Sequence, residues 1–184
     1  MRLEPIDRPP TVKARLAAWM MKRQLGKVIT PARVVYNRLP AAYDVAWALL
    51  KLPSKISLPT HLRLLVQTWP AMLNSCHFCV DIAKAQAVMA GLGLEKFEAL
   101  PEWRTSPLFS DRERAALAYV EEATRNRKVS DATFETLRKH FGEREIVEIT
   151  YLNAVENFYN LVNLPLEIDA SDGLCAIQQS RRSP

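Results

Sequence analysis

The stretch Asn74-Ser-Cys-His-Phe-Cys-Val-Asp-Ile-Ala83 holds two cysteines three residues apart within an apolar part of the chain. This spacing puts Cys76 and Cys79 on one face of a helical turn, close enough to form a disulfide. Near a helix N-terminus, the dipole and the unpaired N–H groups lower the pKa of a thiol. A lone Cys-x-x-Cys pair without a secretory signal is more often redox-active than structural. The pair therefore predicts thiol–disulfide chemistry.

Other interpretations of the pair stay open at this point. Two reduced cysteines can pack in a core as small hydrophobes. A structural zinc site needs about four ligands, and its remaining donors would have to come from distant positions, namely Cys175, His61, His77 and His140. We expect no metal and no cofactor. His77 and Asp81 are candidate auxiliary residues, although neighbouring helical positions diverge by about 100° and His77 can point away from the thiols.

Helical patterns continue on both sides of this stretch. Gly is rare (5) and Pro frequent (12), which suits helices separated by Pro-marked joints. Apolar residues recur at helical spacing, or caps mark helix starts, in segments 11–25, 41–52, 58–80 (bent or interrupted near Pro70, with a helix from about 75 to 90), 110–126, 130–140 and 143–162. Because no convincing alternating β pattern appears, the sequence predicts an all-α fold.

Composition and charge narrow the class of protein further. The 184 residues are 48% hydrophobic and 24% charged, which is typical of a globular domain. Acidic residues and prolines occupy the first ten positions, where a signal peptide needs an apolar run. Polar residues and Pro70 interrupt 64–80, the longest stretch without charge. We therefore expect a soluble cytoplasmic protein with no transmembrane segment.

The basic residues are concentrated near the N-terminus. Residues 1–60 hold 11 Lys or Arg against 3 Asp or Glu, whereas residues 61–184 hold 14 against 17. Residues 11–25 predict a cationic helix with Val12, Leu16, Trp19 and Met20 near one face. Docking of this helix on the protein body or on a second subunit is favoured over membrane or nucleic-acid contact. No nucleic-acid-binding motif is present, so we expect no nucleic-acid partner.

The context of the cysteine pair resembles the carboxymuconolactone decarboxylase superfamily, specifically its alkylhydroperoxidase D-like (AhpD-like) branch. The resemblance covers about residues 40 to 168 and is carried by 74–81, 90–93, 100–104, 106–117 and the Asn-rich segment 141–163. It implies an AhpD-like helical domain over 40–168. Charge and composition, outside the resemblance, predict a basic N-terminal helical arm (1–39) and a polar, loose C-terminal tail (169–184).

The resemblance also implies a function. Members of this branch are dithiol hydroperoxide reductases with an antioxidant role, in which one cysteine attacks the peroxide and the other resolves the sulfenic acid as a disulfide. The family pattern makes Cys79 the attacking residue and Cys76 the resolving one, whereas general thiol chemistry favours the cysteine nearer the helix N-terminus. The implied partners are a hydroperoxide substrate, a thiol or protein reductant and further copies of the chain, as a trimer, a hexamer or possibly a dimer.

The sequence departs from the family pattern at its proton relay. The relay histidine falls on Ala83 and the relay glutamate on Leu64. General acid–base catalysis contributes about 10²–10⁴-fold, so losing both residues should slow peroxide reduction. Possible substitutes are His77, Asp81, His61 and Glu156.

Two other functions follow from this departure and from the family. The missing relay motivates a non-catalytic or redox-sensing oligomer as the alternative to an enzyme. The decarboxylase branch matches less well, because its members act on a charged lactone and need no Cys-x-x-Cys pair. The N-terminal arm is expected to wrap a neighbouring subunit and to cover the mouth of the thiol site.

Overall fold

The computed structural model describes residues 1–168 and 170–182 and contains no strand among them. Its α-helices are α1 (Val12–Leu25), α2 (Ala42–Lys51), α3 (Thr60–Leu73), α4 (His77–Met89), α5 (Glu95–Glu98), α6 (Asp111–Asn126), α7 (Asp131–Arg138), α8 (Glu143–Asn163) and α9 (Leu174–Arg182). A π-helical turn, Ala32–Tyr36, lies between α1 and α2. The all-α prediction is confirmed. None of these helices combines the length and apolar character needed to cross a bilayer.

The helix starts follow from local capping chemistry. The Ser110 hydroxyl accepts from the backbone N–H of Glu113, and the Glu113 carboxylate accepts from the backbone N–H of Ser110. Ser130 caps α7 in the same manner through the N–H of Thr133. These caps satisfy donors that an open helix end would leave unpaired, so the predicted starts of α6 and α7 are confirmed.

The break between α3 and α4 lies at Ser75 rather than at Pro70. Pro70 is inside the last turn of α3, and the chain reverses where Ser75 adopts φ +59°. The N–H of Cys76 donates to the carbonyl of Ala71 at 2.9 Å, which closes the turn. The predicted interruption near Pro70 is therefore wrong, and Cys76 becomes the N-cap residue of α4.

The main core surrounds α3, which packs against α4, α6 and α8. Its apolar face is buried, and each large apolar side chain removed from water stabilises the fold by about 1.5–3 kcal/mol. Members of this core that are less than 2% exposed include Leu62, Leu65, Val66, Leu117, Val120, Ile149 and Leu152. This packing fixes α4 and α8 side by side, and both helices supply the site described below.

Helix α1 docks through a face opposite to the predicted one. Its buried residues are Ala14, Ala17 and Ala18, whereas Val12, Leu16 and Trp19 are at least half exposed. Small side chains allow the helix backbone to approach the protein body closely. Docking of α1 on the body is as expected, but the orientation predicted from the larger apolar residues is wrong.

The segment expected to be a loose tail contains helix α9. Residue 169 and residues 183–184 lie outside the described residues, but α9 packs along α4 and buries Leu174 completely. Gln178 donates to the carbonyl of Leu25 at 3.0 Å, so the last helix also binds the end of α1. The expectation of a loose tail is thus wrong for 174–182, because the buried side chains of Leu174 and Gln178 hold the helix against the body.

Candidate redox site

The two cysteines of the motif lie in the first turn of α4 and are joined by a disulfide, with their Cα atoms 5.3 Å apart. Cys76 is fully buried and Cys79 is 3% exposed. The pairing predicted from the three-residue spacing is present in the structure. A disulfide in this position can accept two electrons and open to a dithiol without moving the helix ends.

A cavity of about 230 Å³ opens beside Cys79. It lies between the N-terminal elements (α1, the π-helical turn and α2) and the core helices α3, α4 and α8. Cys76 is not among its lining residues, so the two sulfurs are not equivalent: Cys79 opens on the cavity and Cys76 lies behind it. The N-terminal arm thus covers the thiol site of its own chain.

Apolar and aromatic side chains form most of the cavity wall. The aromatic members are Tyr36, Tyr43, Trp47, Phe78 and Tyr159. Leu64 and Ala83, which occupy the positions of the family's relay residues, line the same cavity. Leucine and alanine stand here where the family pattern has a glutamate and a histidine. The wall next to Cys79 is therefore apolar at both positions.

Helix α8 supplies the polar contacts to Cys79. The side-chain amide of Asn160 donates to Cys79 Sγ at 3.2 Å, and that of Asn163 lies 3.6 Å from the same sulfur. Both asparagines are at least 98% buried. Once the disulfide is reduced, two amide N–H groups aimed at one sulfur favour its thiolate form.

The same Asn160 amide also binds a buried carboxyl group. Its nitrogen donates to Glu156 Oε1 at 2.7 Å. The orientation of Asn160 is fixed because its oxygen accepts from the amide of Asn74 at 2.7 Å, and Asn74 immediately precedes the motif. Burial raises the pKa of Glu156 to about 7, opposed only in part by the hydrogen bond from Asn160. Glu156 also lines the cavity.

The other candidate residues lie away from Cys79 or have other partners. His77 is exposed at the start of α4, and His61 lies at the start of α3 with its Nε2 3.7 Å from Glu113. Both carboxylate oxygens of Asp81 accept backbone N–H groups of α9, from Leu174 at 2.8 Å and from Cys175 at 2.9 Å. Asp81 therefore anchors α9, because a carboxylate at the N-terminal end of a helix interacts favourably with the helix dipole.

Cys175, at the start of α9, is partly buried. Burial first, and then the nearby Asp81 carboxylate, raise the pKa of its thiol, so it is a poor nucleophile. Among the described residues, no group of three or more His, Cys, Asp or Glu side chains has the arrangement of a metal site.

Asn160 and Asn163 are the site residues that the sequence analysis did not single out individually. The signal was present, since Asn157, Asn160 and Asn163 recur every third residue along one side of α8. Buried amides at such spacing need partners, and the nearest sulfur provides one.

The all-helical fold and the buried Cys76–Cys79 pair at the start of α4 define a class of helical domains with relatives of known family. Residues 38–122 match the carboxymuconolactone decarboxylase family. The chain is 35% identical to the uncharacterized protein YnjA of Escherichia coli K12, over 98% of this chain and 100% of that one. It belongs to this family, in the AhpD-like branch.

Solved structures share the fold. A protein of unknown function from Agrobacterium tumefaciens, provisionally named as antioxidant defence protein AhpD, is 30% identical, with a TM-score of 0.67 over 72% of this chain and 92% of that one. The debrominase Bmp8, as a cysteine-to-alanine variant in complex with 2,3,4-tribromopyrrole, is 18% identical. Its TM-score is 0.81 over 98% of this chain and 97% of that one. The second likeness includes the N-terminal arm.

Proposed function

We propose that this protein is a dithiol hydroperoxide reductase in which Cys79 attacks the peroxide and Cys76 resolves the product. The observation that carries the proposal is the asymmetry of the pair, since Cys79 alone lines the cavity. Two amide donors on its sulfur support a reactive thiolate. The apolar wall favours an organic hydroperoxide over a charged substrate.

The proposed reaction balances as follows. The Cys79 thiolate attacks the terminal oxygen of ROOH, the O–O bond breaks, and the leaving alkoxide takes a proton to become ROH. The sulfur now carries a sulfenic acid. The thiol of Cys76 attacks that sulfur, forming the disulfide and releasing water. An external thiol or a protein dithiol then returns two electrons and two protons.

Location and assembly are parts of the same proposal. A cytoplasmic location supplies the reducing thiols that the cycle consumes. An assembly of several copies is supported by an apolar stripe along the outer face of α8, where Val147, Tyr151, Phe158 and Leu161 are 46–66% exposed. We expect sedimentation to give a mass above that of one 20.9 kDa chain, and a purely monomeric protein would refute this part.

The experiment mixes fully reduced protein with cumene hydroperoxide and follows disulfide formation. A free dithiol at equal concentration is the reference. We expect the protein to react much faster, Cys79→Ser to lose the reaction, and Cys76→Ser to accumulate a sulfenic acid that dimedone traps on Cys79. A rate no better than that of the free dithiol would leave the non-catalytic or redox-sensing scaffold as the function.

A second candidate is reductive removal of a halogen from a small aromatic ring. The aromatic wall beside Cys79 favours it, and the similar fold of a debrominase that binds a tribrominated pyrrole motivates the choice of substrate. The ring would gain hydrogen, halide would leave, and the two thiols would become the disulfide. Bromide release from 2,3,4-tribromopyrrole by the reduced protein tests it, and release unaffected by Cys79→Ser would refute it.

A further inference from the structure

We propose that Glu156 of α8 is the proton donor and acceptor of this site, in place of the relay residues that the family carries at positions 64 and 83. This inference rests on the proposed hydroperoxide reductase function. It moves the acid–base group from α3 and α4 to a different helix, although the cavity that the group serves is the same.

Glu156 and Cys79 are bridged by a single amide group. The nitrogen of Asn160 donates one hydrogen to Cys79 Sγ and the other to Glu156 Oε1. The sulfur and the carboxyl oxygen therefore cannot be farther apart than these two hydrogen bonds laid end to end. One water molecule, or an oxygen of the bound hydroperoxide, can relay a proton across a separation of this size. Asn160 acts as a positioning residue, because Asn74 holds its oxygen.

The hydrogen bond described for the Glu156 carboxyl group reaches Oε1, and the same side chain lines the cavity. The titratable side chains that line the cavity are Cys79, Glu156 and three tyrosines, Tyr36, Tyr43 and Tyr159. No Lys, Arg, His or Asp is among the lining residues in the described part of the chain. Proton transfer within this cavity is therefore left to the carboxyl group or to a phenol.

The tyrosines are the weaker acids. Burial raises the pKa of Tyr36 to about 12, and burial likewise raises the pKa of Tyr43 and of Tyr159. The pKa of Glu156, at about 7, places it near the optimum for a group that both donates and accepts a proton at neutral pH. Glu156 can therefore exist in both protonation states where a buried phenol cannot.

The proton then follows a closed path. Carboxylate Glu156 takes the proton of the Cys79 thiol, and the resulting thiolate attacks the terminal oxygen of ROOH. As the O–O bond breaks, the carboxyl group returns that proton to the leaving alkoxide and gives ROH. Glu156 returns to its carboxylate form. The oxidation of Cys79 to sulfenic acid supplies the two electrons that the peroxide gains.

The test compares reagents whose leaving groups differ in whether they need a proton. Glu156→Gln keeps the size of the side chain and an oxygen that accepts from Asn160, but it removes the transferable proton. The reduced variant and the wild type are each reacted with cumene hydroperoxide, peracetic acid and iodoacetamide. An alkoxide needs a proton to leave, whereas carboxylate and iodide do not. Glu143→Gln, an exposed change on the same helix, is the matched control.

We expect Glu156→Gln to slow cumene hydroperoxide about 10²-fold, the lower end of general acid–base effects. Peracetic acid and iodoacetamide need the proton acceptor but not the proton donor, so their rates should fall clearly less than the hydroperoxide rate, and Glu143→Gln should match the wild type in all three reactions. Glu156→Asp, which keeps a carboxyl group, should give an intermediate hydroperoxide rate and covers the case in which the glutamine variant folds poorly.

Two results would overturn the assignment alone. Equal slowing of all three reactions by Glu156→Gln would mean that Glu156 acts only on the thiol and gives no proton to the leaving group, and no slowing would mean that it takes no part. Both presuppose a wild-type reaction that Cys79→Ser abolishes. A wild type no faster than a free dithiol overturns the proposed function as well, so the two failures are distinguishable.

Discussion

The buried carboxyl of Glu156 predicts a pH-dependent loss of stability that Glu156→Gln abolishes. Its pKa rises from an ordinary 4.5 to about 7 in the folded protein, because burial penalises the charged form. The unfolded chain therefore releases this proton at lower pH than the folded one. Stability from the protonated group is fully present below about pH 4.5 and is lost as the pH rises through about 7.

The size of the effect follows from the shift. Each tenfold change in proton affinity is worth about 1.4 kcal/mol, so the complete loss is about 3 kcal/mol. Between about pH 5 and about pH 8, the free energy of unfolding of the wild type should fall by roughly 2–3 kcal/mol more than that of Glu156→Gln. At the higher pH the glutamine variant should be the more stable protein.

Urea unfolding of the oxidised proteins, followed by circular dichroism across this pH range, measures the difference. Glu148→Gln, on the same helix, is the matched control, and its effect on stability at neutral pH should be opposite in sign to that of Glu156→Gln. Burial pushes the pKa of Glu148 up, but hydrogen bonds from Ser57, Arg144 and Leu58 lower it overall. Its ionised form is therefore stabilising above its unfolded pKa, and the variant should lose stability at neutral pH. Parallel curves for the wild type and Glu156→Gln would refute a buried, high-pKa carboxyl.

Three further outcomes are expected. Asp81→Ala removes the acceptor of two N–H groups at the start of α9 and should cost about 1–3 kcal/mol, with faster amide exchange in α9; unchanged exchange there would contradict the anchor. Gly26→Ala should lower the melting temperature, because φ is +93° and the added Cβ would lie 2.7 Å from Ile177 Cγ2. Ala83→Phe fills the cavity, so it should slow cumene hydroperoxide much more than hydrogen peroxide; equal slowing would place the substrate elsewhere.

The sequence was sufficient for the helices whose ends carry local signals. Ser110 and Ser130 predicted the starts of α6 and α7 because their caps are built from residues three positions apart. Ser75 gave no comparable signal, since its left-handed conformation is imposed by the packing of α3 against α4. Pro70 was misleading because α3 continues through it to Leu73, although a proline supplies no N–H to the carbonyl four residues earlier.

The candidate site was predictable only as far as its local motif. Three-residue spacing brought Cys76 and Cys79 together, but the sequence did not indicate which sulfur faces the cavity. That depends on how α8 packs against α4, which is a contact across about eighty residues. The role of Asp81 was equally hidden, because its partners lie in α9, where a polar composition suggested a loose tail. The hydrogen bonds of Asp81 to α9 leave no periodic signal in the chain.

The contact between α9 and α1 affects the order in which the protein assembles during synthesis. Gln178 binds the carbonyl of Leu25 across 153 positions, so α9 can dock only after the chain up to this helix has left the ribosome. Contacts this distant form late, since loop closure must precede them. A nascent chain that ends before α9, or one clipped after residue 168, would carry Cys76 and Cys79 on a helix that still lacks its packing against α9. The two cysteines therefore acquire their final surroundings only after α9 has been synthesised.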